Sequence, residues 1–153
     1  MTHWHVYAVE WTPSSIDYFC DGNKVYSYDA SSHEGVGYMT KDQVLMMNFW
    51  SPTWSPWGDS FDTSKFPYYT EYDYVKTWKY DQSSGSFTED WTDNFDSFDS
   101  SRWLKSNNWG FDGNRITFMS SQVYTDSGSL VIKMDWGSSS VSDSSSTEAF
   151  LQE

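Results

Sequence analysis

Helical periodicity is almost absent from this 153-residue chain. Its apolar residues instead alternate with polar ones in short segments, which are separated by Gly, Asp, Asn, Ser and Pro. Alternation at every second position puts one side of a strand in a core and the other in solvent. The pattern therefore predicts an all-β chain, a sandwich of antiparallel sheets.

The predicted strands follow one another at short intervals. Segments 16–20 and 24–28 flank Asp21-Gly22-Asn23, whose Gly and Asn accept the positive φ that a tight hairpin turn needs. The full set of predicted strands comprises 5–11, 16–20, 24–28, 44–50, 69–80, 91–98, 115–118, 122–125 and 129–136.

Three stretches have the composition of connections. Residues 51–67 contain three Pro and two Trp, which predicts a long, ordered surface loop of the kind that often carries function. Residues 81–89 (DQSSGSFTE) have the composition of a linker. Serine dominates beyond residue 136, so we expect one sandwich domain over 1–136 and a flexible tail over 137–153.

Aromatic residues make up 20% of the chain, with 10 Trp, 11 Tyr and 10 Phe. A core needs few Trp, and the mean hydropathy of −0.70 is low. The composition favours several Trp on a binding surface, and an aromatic-rich core is the alternative.

The formal net charge is −13, from 22 acidic and 9 basic residues. Such a surface repels phosphate backbones and anionic lipids, so neither nucleic acid nor a membrane is an expected partner. A neutral polymer would be tolerated, and an acidic protein with no partner is the alternative. The sequence holds no apolar run long enough to span a bilayer, and its start lacks the features of a signal peptide.

Cys20 is the single cysteine, so it cannot form an internal disulfide. Its strand context predicts a small buried hydrophobic residue rather than a nucleophile. With one Cys and three scattered His, a zinc site is not expected.

Five motifs occur in order along residues 3–135. They are HVYAVEWTP at 5–13 followed by Asp21-Gly22, MNFW at 47–50, EYDYVK at 71–76, DNFDSFDSSRW at 93–103, and FDGNR at 111–115. Together they resemble the β-1,3-1,4-glucanases (lichenases) of glycoside hydrolase family 16. The resemblance implies a jelly-roll (concanavalin A-like) sandwich, retaining hydrolysis of mixed-linkage β-glucan, secretion from the cell, and no required cofactor.

The order of these motifs resembles that of the circularly permuted lichenases, because the usual C-terminal half comes first and is joined through 81–89 to the usual opening segment. The family's catalytic strand, E-[IV]-D-[IV]-E, supplies the nucleophile and the acid/base. In the permuted order it precedes His5, and the sequence does not contain it. We therefore expect an incomplete sandwich without catalytic residues. Glu71-x-Asp73 has Val75 where a second Glu is needed, and is expected to be a structural strand.

The resemblance also implies a substrate cleft. Its Trp positions would stack on glucose rings, with core packing as the alternative. Asn48 and Lys105 could hydrogen-bond sugar hydroxyls, with a structural partner and plain surface charge as their respective alternatives. The expected substrate-binding residues are Trp11, Tyr18, Asn48, Trp50, Lys105 and Trp109.

Two further side chains match family positions. His5 is expected to be a hydrogen-bonded structural residue. Asp73 matches the Asp that, in ordinary family members, helps to bind a structural calcium through mostly backbone carbonyls.

Three functional hypotheses follow. The chain is the later part of a secreted lichenase that works with its own missing N-terminal segment, or a non-catalytic β-glucan-binding module. The third hypothesis is a structural protein whose missing strands come from another chain, because exposed sheet edges invite pairing.

Overall fold

The computed structural model describes residues 3–54, 62–136, 144–146 and 148–151. Within them the chain forms strands and three short 3₁₀ turns, at Glu34–Tyr38, Thr63–Lys65 and Ser120–Gln122. The strands are β1 (Tyr7–Trp11), β2 (Ser15–Cys20), β3 (Asn23–Asp29), β4 (Met46–Asn48), β5 (Tyr68–Tyr72), β6 (Val75–Asp81), β7 (Ser86–Asp93), β8 (Trp103–Lys105), β9 (Thr117–Phe118), β10 (Val123–Asp126), β11 (Ser129–Trp136), β12 (Ser144–Ser146) and β13 (Glu148–Leu151). The all-β prediction is confirmed. No helix among the described residues has the length and apolarity needed to cross a membrane.

The chain divides into two compact units, and the expected sandwich domain over residues 1–136 stays a prediction. The first comprises residues 1–43 and 77–90, and the second comprises 44–76 and 91–153. The first unit contains a three-stranded sheet in the order β1-β2-β3. A tight turn joins β2 and β3 as predicted. The residues with positive φ are Asp21 (50°) and Gly22 (77°), rather than the expected Gly22 and Asn23, because Asn23 already begins β3.

Strands β6 and β7 form a separate two-stranded hairpin. The stretch 81–89, predicted to be a linker, is the turn of this hairpin and the start of β7. Asp81 Oδ1 accepts a 2.9 Å hydrogen bond from the Ser83 N–H, and Gly85 has a φ of 66°. The turn residues that suggested a flexible joint therefore reverse the chain between two strands.

The second unit contains two sheets. One has the order β4-β13-β8, and the other has the order β10-β11-β12-β9, with β5 also paired to β11. The strand pairs are antiparallel except β9 with β12. Residues 144–146 and 148–151 belong to the segment expected to be a flexible tail, yet they form β12 and β13. The rest of that segment lies outside the described residues.

The core of the second unit is built on strand β11. Leu130, Ile132 and Met134 follow the two-residue spacing that the sequence predicted, and each is 0% exposed. Leu130 and Ile132 belong to the larger buried cluster, which also contains Met47, Phe95, Trp103 and Val123. Met134 belongs to a second cluster with Ile116 and Phe118.

The predicted strand 69–80 is two strands, β5 and β6, with Asp73 and Tyr74 between them. Tyr72 and Val75 both pack against the larger cluster, although a continuous strand would point them to opposite faces. The break at 73–74 changes which face of the strand meets the core, so the prediction of one continuous strand over 69–80 was wrong.

A recurrent Asp-x-Ser turn accounts for part of the acidic composition. At each turn the Asp Oδ1 accepts a hydrogen bond from the N–H of the Ser two residues later, at 2.7–3.1 Å. The pairs are Asp29 with Ser31, Asp62 with Ser64, Asp81 with Ser83, and Asp99 with Ser101. Serine side-chain hydrogen bonds, helped by the backbone, lower the pKa of all four carboxyls, that of Asp81 to about 2.

Candidate functional site

An aromatic cluster in the second unit is formed by Trp50, Trp54, Trp109, Phe111 and Phe118. The ring centroids of Trp50 lie 6.2 Å from Trp54 and 5.1 Å from Phe111. Phe111 lies 5.8 Å from Trp109 and 6.0 Å from Phe118. The structure thus brings together two of the predicted binding residues, Trp50 and Trp109, in one continuous group of rings.

Backbone hydrogen bonds fix the two segments that carry this cluster. Trp109 and Phe118 pair in both directions, with N···O distances of 3.3 and 2.6 Å. The segment after Trp50 is bonded to the second segment through Thr53 N–H to Gly113 O and Arg115 N–H to Ser51 O, both 2.9 Å. The rings therefore lie on two segments whose backbones are hydrogen-bonded to each other, rather than on an unpaired loop.

Trp109 packs against a buried ring and is also partly exposed to solvent. Its indole stacks on Phe118 at 5.4 Å with an interplanar angle of 19°, and Phe118 is fully buried. Trp109 itself is 47% exposed, as is Trp54. Because one face of the Trp109 ring rests on the core, exposed indole surface is held in a fixed orientation that suits stacking on a flat, apolar ligand surface.

Gly113 makes room for Trp54. A Cβ at this position would lie 2.3 Å from the Trp54 ring, and Gly113 has a φ of 87°. Glycine has no Cβ to collide with the indole and adopts this positive φ without strain, so no other residue fits at this position. This explains the glycine in the FDGNR motif, since it lets the indole lie directly against the backbone.

Asn48 and Lys105 lie in the second unit but are engaged differently. Asn48, in β4, has its Nδ2 3.6 Å from the Met46 sulfur, and its carbonyl accepts a 3.5 Å hydrogen bond from the Tyr72 hydroxyl. Lys105 Nζ donates a 2.5 Å hydrogen bond to the Val123 carbonyl.

The Lys105 ammonium also lies 4.1 Å from the ring centre of Phe98, and burial lowers its pKa. These contacts are intramolecular, so a sugar-binding role for either residue stays a prediction.

Trp11 and Tyr18 belong to the first unit. Trp11 is half-buried and, with Pro13, Val36 and Met39, lines a cavity of about 240 Å³. Tyr18 is 38% exposed and meets Tyr28 edge-to-face at 6.1 Å. Their role in substrate binding also stays a prediction.

Sequence reasoning missed several ring neighbours of the predicted residues. Trp54 and Phe111 complete the aromatic cluster, and Tyr26 and Tyr28 lie beside Tyr18. The two-residue spacing of Tyr26 and Tyr28 in a predicted strand was a usable signal. No local signal linked Trp54 to Phe111, because 57 positions (111 minus 54) separate them in the sequence.

The other predicted residues are placed as follows. His5 Nδ1 hydrogen-bonds Asp21 Oδ2 at 2.8 Å, which confirms that His5 is hydrogen-bonded. Glu71 is exposed in β5, and Asp73 is exposed between β5 and β6. Asp73 is not part of a cluster of acidic, His or Cys ligands in the described part of the chain. A calcium ion there would depend on backbone carbonyls, and this site stays a prediction.

Comparison with known proteins agrees with the five motifs. Residues 1–76 match the sequence profile described as glycosyl hydrolases family 16. A β-glucanase of Fibrobacter succinogenes (strain ATCC 19169 / S85) is 38% identical over 134 residues, which cover 85% of this chain and 37% of that relative. The chain thus spans a little over a third of the length of the relative it matches. The profile match, the 38% identity to this relative and the five motifs together show that the chain belongs to glycosyl hydrolase family 16.

Proposed function

We propose that this chain supplies the aromatic substrate-binding surface of a secreted endo-β-1,3-1,4-glucanase that hydrolyses mixed-linkage β-glucan with retention. The single observation that carries the proposal is the Trp109 indole, stacked on buried Phe118 while 47% of the residue stays exposed. A braced, exposed indole can stack on the apolar face of a glucose ring. The net charge of −13 does not oppose a neutral polysaccharide.

We assign no catalytic residue to this polypeptide. A retaining glycosidase needs two carboxyl groups about 5–5.5 Å apart, one as nucleophile and one as acid/base. The 153 residues contain no E-x-D-x-E sequence, and Val75 stands where a second Glu would follow Glu71 and Asp73. We therefore expect this polypeptide by itself to bind glucan weakly without hydrolysing it.

A circularly permuted order of segments is part of the proposal. The family match ends at residue 76, before the segment 93–115 that resembles the opening of unpermuted enzymes. A linear profile matched to a permuted chain would stop in this way. The hairpin turn at 81–85 would then be the joint between the two segments.

Affinity electrophoresis in gels containing barley β-glucan tests the binding surface. Trp109→Ala should weaken binding roughly 2- to 10-fold, because one aromatic contact contributes about 0.5–1.5 kcal/mol. Trp109→Tyr keeps a stacking face and should retain most of the affinity. Trp78→Ala is the matched control, since Trp78 is 49% exposed in β6 and outside the aromatic cluster. Equal retardation of all four proteins would contradict the proposal.

Hydrolysis is tested separately by reducing-sugar release from the same glucan. We expect none from this polypeptide, and measurable release would refute the assignment of no catalytic residue. An in-frame E-x-D-x-E sequence encoded upstream would support the enzyme over a non-catalytic binding module.

The third hypothesis, completion by another chain, is favoured by the edges of the β1-β2-β3 sheet. All seven residues of β3 and four of the five in β1 are exposed, and both strands are edges of that sheet. Unprotected edges of this kind can pair with further strands. Light scattering tests the idea, because a stable monomer would count against pairing between copies of the chain.

A further inference from the structure

Three potential metal ligands meet in the first unit, where the sequence suggested none. A ring nitrogen of His5, the Sγ of Cys20 and a carboxylate oxygen of Asp21 all lie within 4.8 Å of one another. His5 is 15 positions away from Cys20 in the sequence (20 minus 5), so spacing alone hides the group. The antiparallel pairing of β1 with β2 sets Tyr7 opposite Cys20 and so brings His5 to the start of the hairpin turn.

The Asp21 carboxylate is held in place by the backbone. The Val6 N–H donates to Asp21 Oδ1 at 2.9 Å, and the Asp21 N–H donates to the Val6 carbonyl at 2.8 Å. Oδ1 is thereby occupied, and Oδ2 faces His5 Nδ1 at 2.8 Å and Cys20 Sγ at 3.9 Å. Hydrogen bonds of this kind orient metal-binding carboxylates in known sites.

The position of Asp21 also suits a ligand. Its φ of 50° is in the left-handed region, which Asp tolerates better than most residues. The side chains of His5 and Asp21 are 36% and 48% exposed, so an ion can reach them from solvent. Cys20 is half-buried, and it is the least accessible of the three.

We propose that His5, Cys20 and Asp21 bind one zinc ion. A thiolate, an imidazole nitrogen and a carboxylate form a donor set that Zn²⁺ accepts, whereas calcium and magnesium prefer oxygen ligands alone. Zinc takes the place of the hydrogen bond between His5 Nδ1 and Asp21 Oδ2, binding the neutral imidazole through Nδ1 while the ring proton is on Nε2, and the Cys20 thiol releases its proton to solvent on binding. Three protein ligands leave a fourth tetrahedral position for water.

Cobalt(II) titration of the complete chain tests this site, because a cobalt–thiolate bond absorbs in the near ultraviolet and zinc does not. One equivalent of cobalt should give this band, and zinc should abolish it by displacement. Cys20→Ser should lose the band. His5→Asn, whose amide can keep the hydrogen bond to Asp21, should lower the affinity by more than the roughly 10- to 100-fold that loss of an outer-shell partner costs.

His33→Asn is the matched control, since His33 is an exposed histidine of the same unit with Ser32 and Tyr28 as its neighbours. It should leave the cobalt spectrum and affinity unchanged. A second measurement needs no variant: zinc should slow alkylation of Cys20 by iodoacetamide in the unmodified chain. A missing near-ultraviolet band, a band that persists in Cys20→Ser, or an alkylation rate that zinc does not change would each overturn the proposal.

Discussion

The indole Nε1 of Trp103 donates a 2.7 Å hydrogen bond to Oδ2 of Asp93. The other oxygen of Asp93 accepts a 2.9 Å hydrogen bond from the Phe95 N–H, and Phe95 has a φ of 53°. Trp103 and Phe95 are 1% and 0% exposed. The Asp93 carboxylate therefore accepts hydrogen bonds from the buried Trp103 indole and from the N–H of Phe95, which has an unusual positive φ. These bonds explain why the 93–103 motif contains both an Asp and a Trp ten residues later.

Replacement of Asp93 should destabilise the fold. In Asp93→Asn the amide oxygen can still accept from the Phe95 N–H, but the amide nitrogen cannot accept from the Trp103 indole. Leaving that buried donor unpaired should lower the free energy of unfolding by about 1–3 kcal/mol. Urea unfolding measures the difference, and Asp96→Asn at an exposed neighbouring position is the control. Equal stability of the two variants would show that the indole finds another acceptor.

Gly113→Ala should strain the backbone and should also displace a ring of the aromatic cluster. The new Cβ would lie 2.3 Å from the Trp54 ring, so the indole must move. Gly85→Ala is the matched control, because Gly85 has a φ of 66° but no atom within 4 Å of the added Cβ. Both variants should lose roughly 1 kcal/mol from left-handed backbone strain. Only Gly113→Ala should also change the intrinsic Trp fluorescence, and an identical change in both would argue against the Trp54 contact.

Lys105→Met should affect stability. The substitution keeps the apolar stem over Phe98 but removes the ammonium that donates to the Val123 carbonyl. Loss of a charged hydrogen bond should reduce the free energy of unfolding by about 1.5–3 kcal/mol in urea titrations. Lys65→Met, at a side chain that is 70% exposed, serves as the control and should change stability little. Weaker glucan binding by Lys105→Met with unchanged stability would instead favour contact with sugar.

Stability should fall as the pH is lowered into the acid range. The pKa of Asp81 is about 2 in the folded chain, against an ordinary value of 3.8, mainly because the Ser83 and Ser84 hydroxyls donate to it. A carboxyl whose folded pKa is depressed contributes its stabilisation fully above pH 3.8 and loses it as the pH falls through the folded value. Asp81→Asn should therefore flatten the decline in melting temperature between about pH 4 and pH 2. If the melting temperatures of Asp81→Asn and the unmodified chain fell in parallel with pH, the hydrogen bonds to Asp81 would not be a source of the acid-dependent stability.

Local sequence predicted the all-β class, the hairpin turn between β2 and β3, and strands such as β2, β3 and β11, because alternation and turn chemistry act between residues a few positions apart. It did not predict β8, β12 or β13, and the predicted strand 91–98 ends at Asp93 in the structure. The same local rules misjudged the stretch 69–80, since the change of face between Tyr72 and Val75 depends on a core that both residues reach. They also took residues 81–89 for a linker, because a hairpin turn and a linker share one composition.

Tertiary structure decided which distant residues meet. The support of Trp109 by Phe118, the space that Gly113 leaves for Trp54, and the meeting of His5 with Cys20 all depend on strand pairing and register. A sequence displays the residue types and their spacing along the chain. Contacts between segments depend instead on how the whole core packs, and no short pattern in a sequence encodes that arrangement.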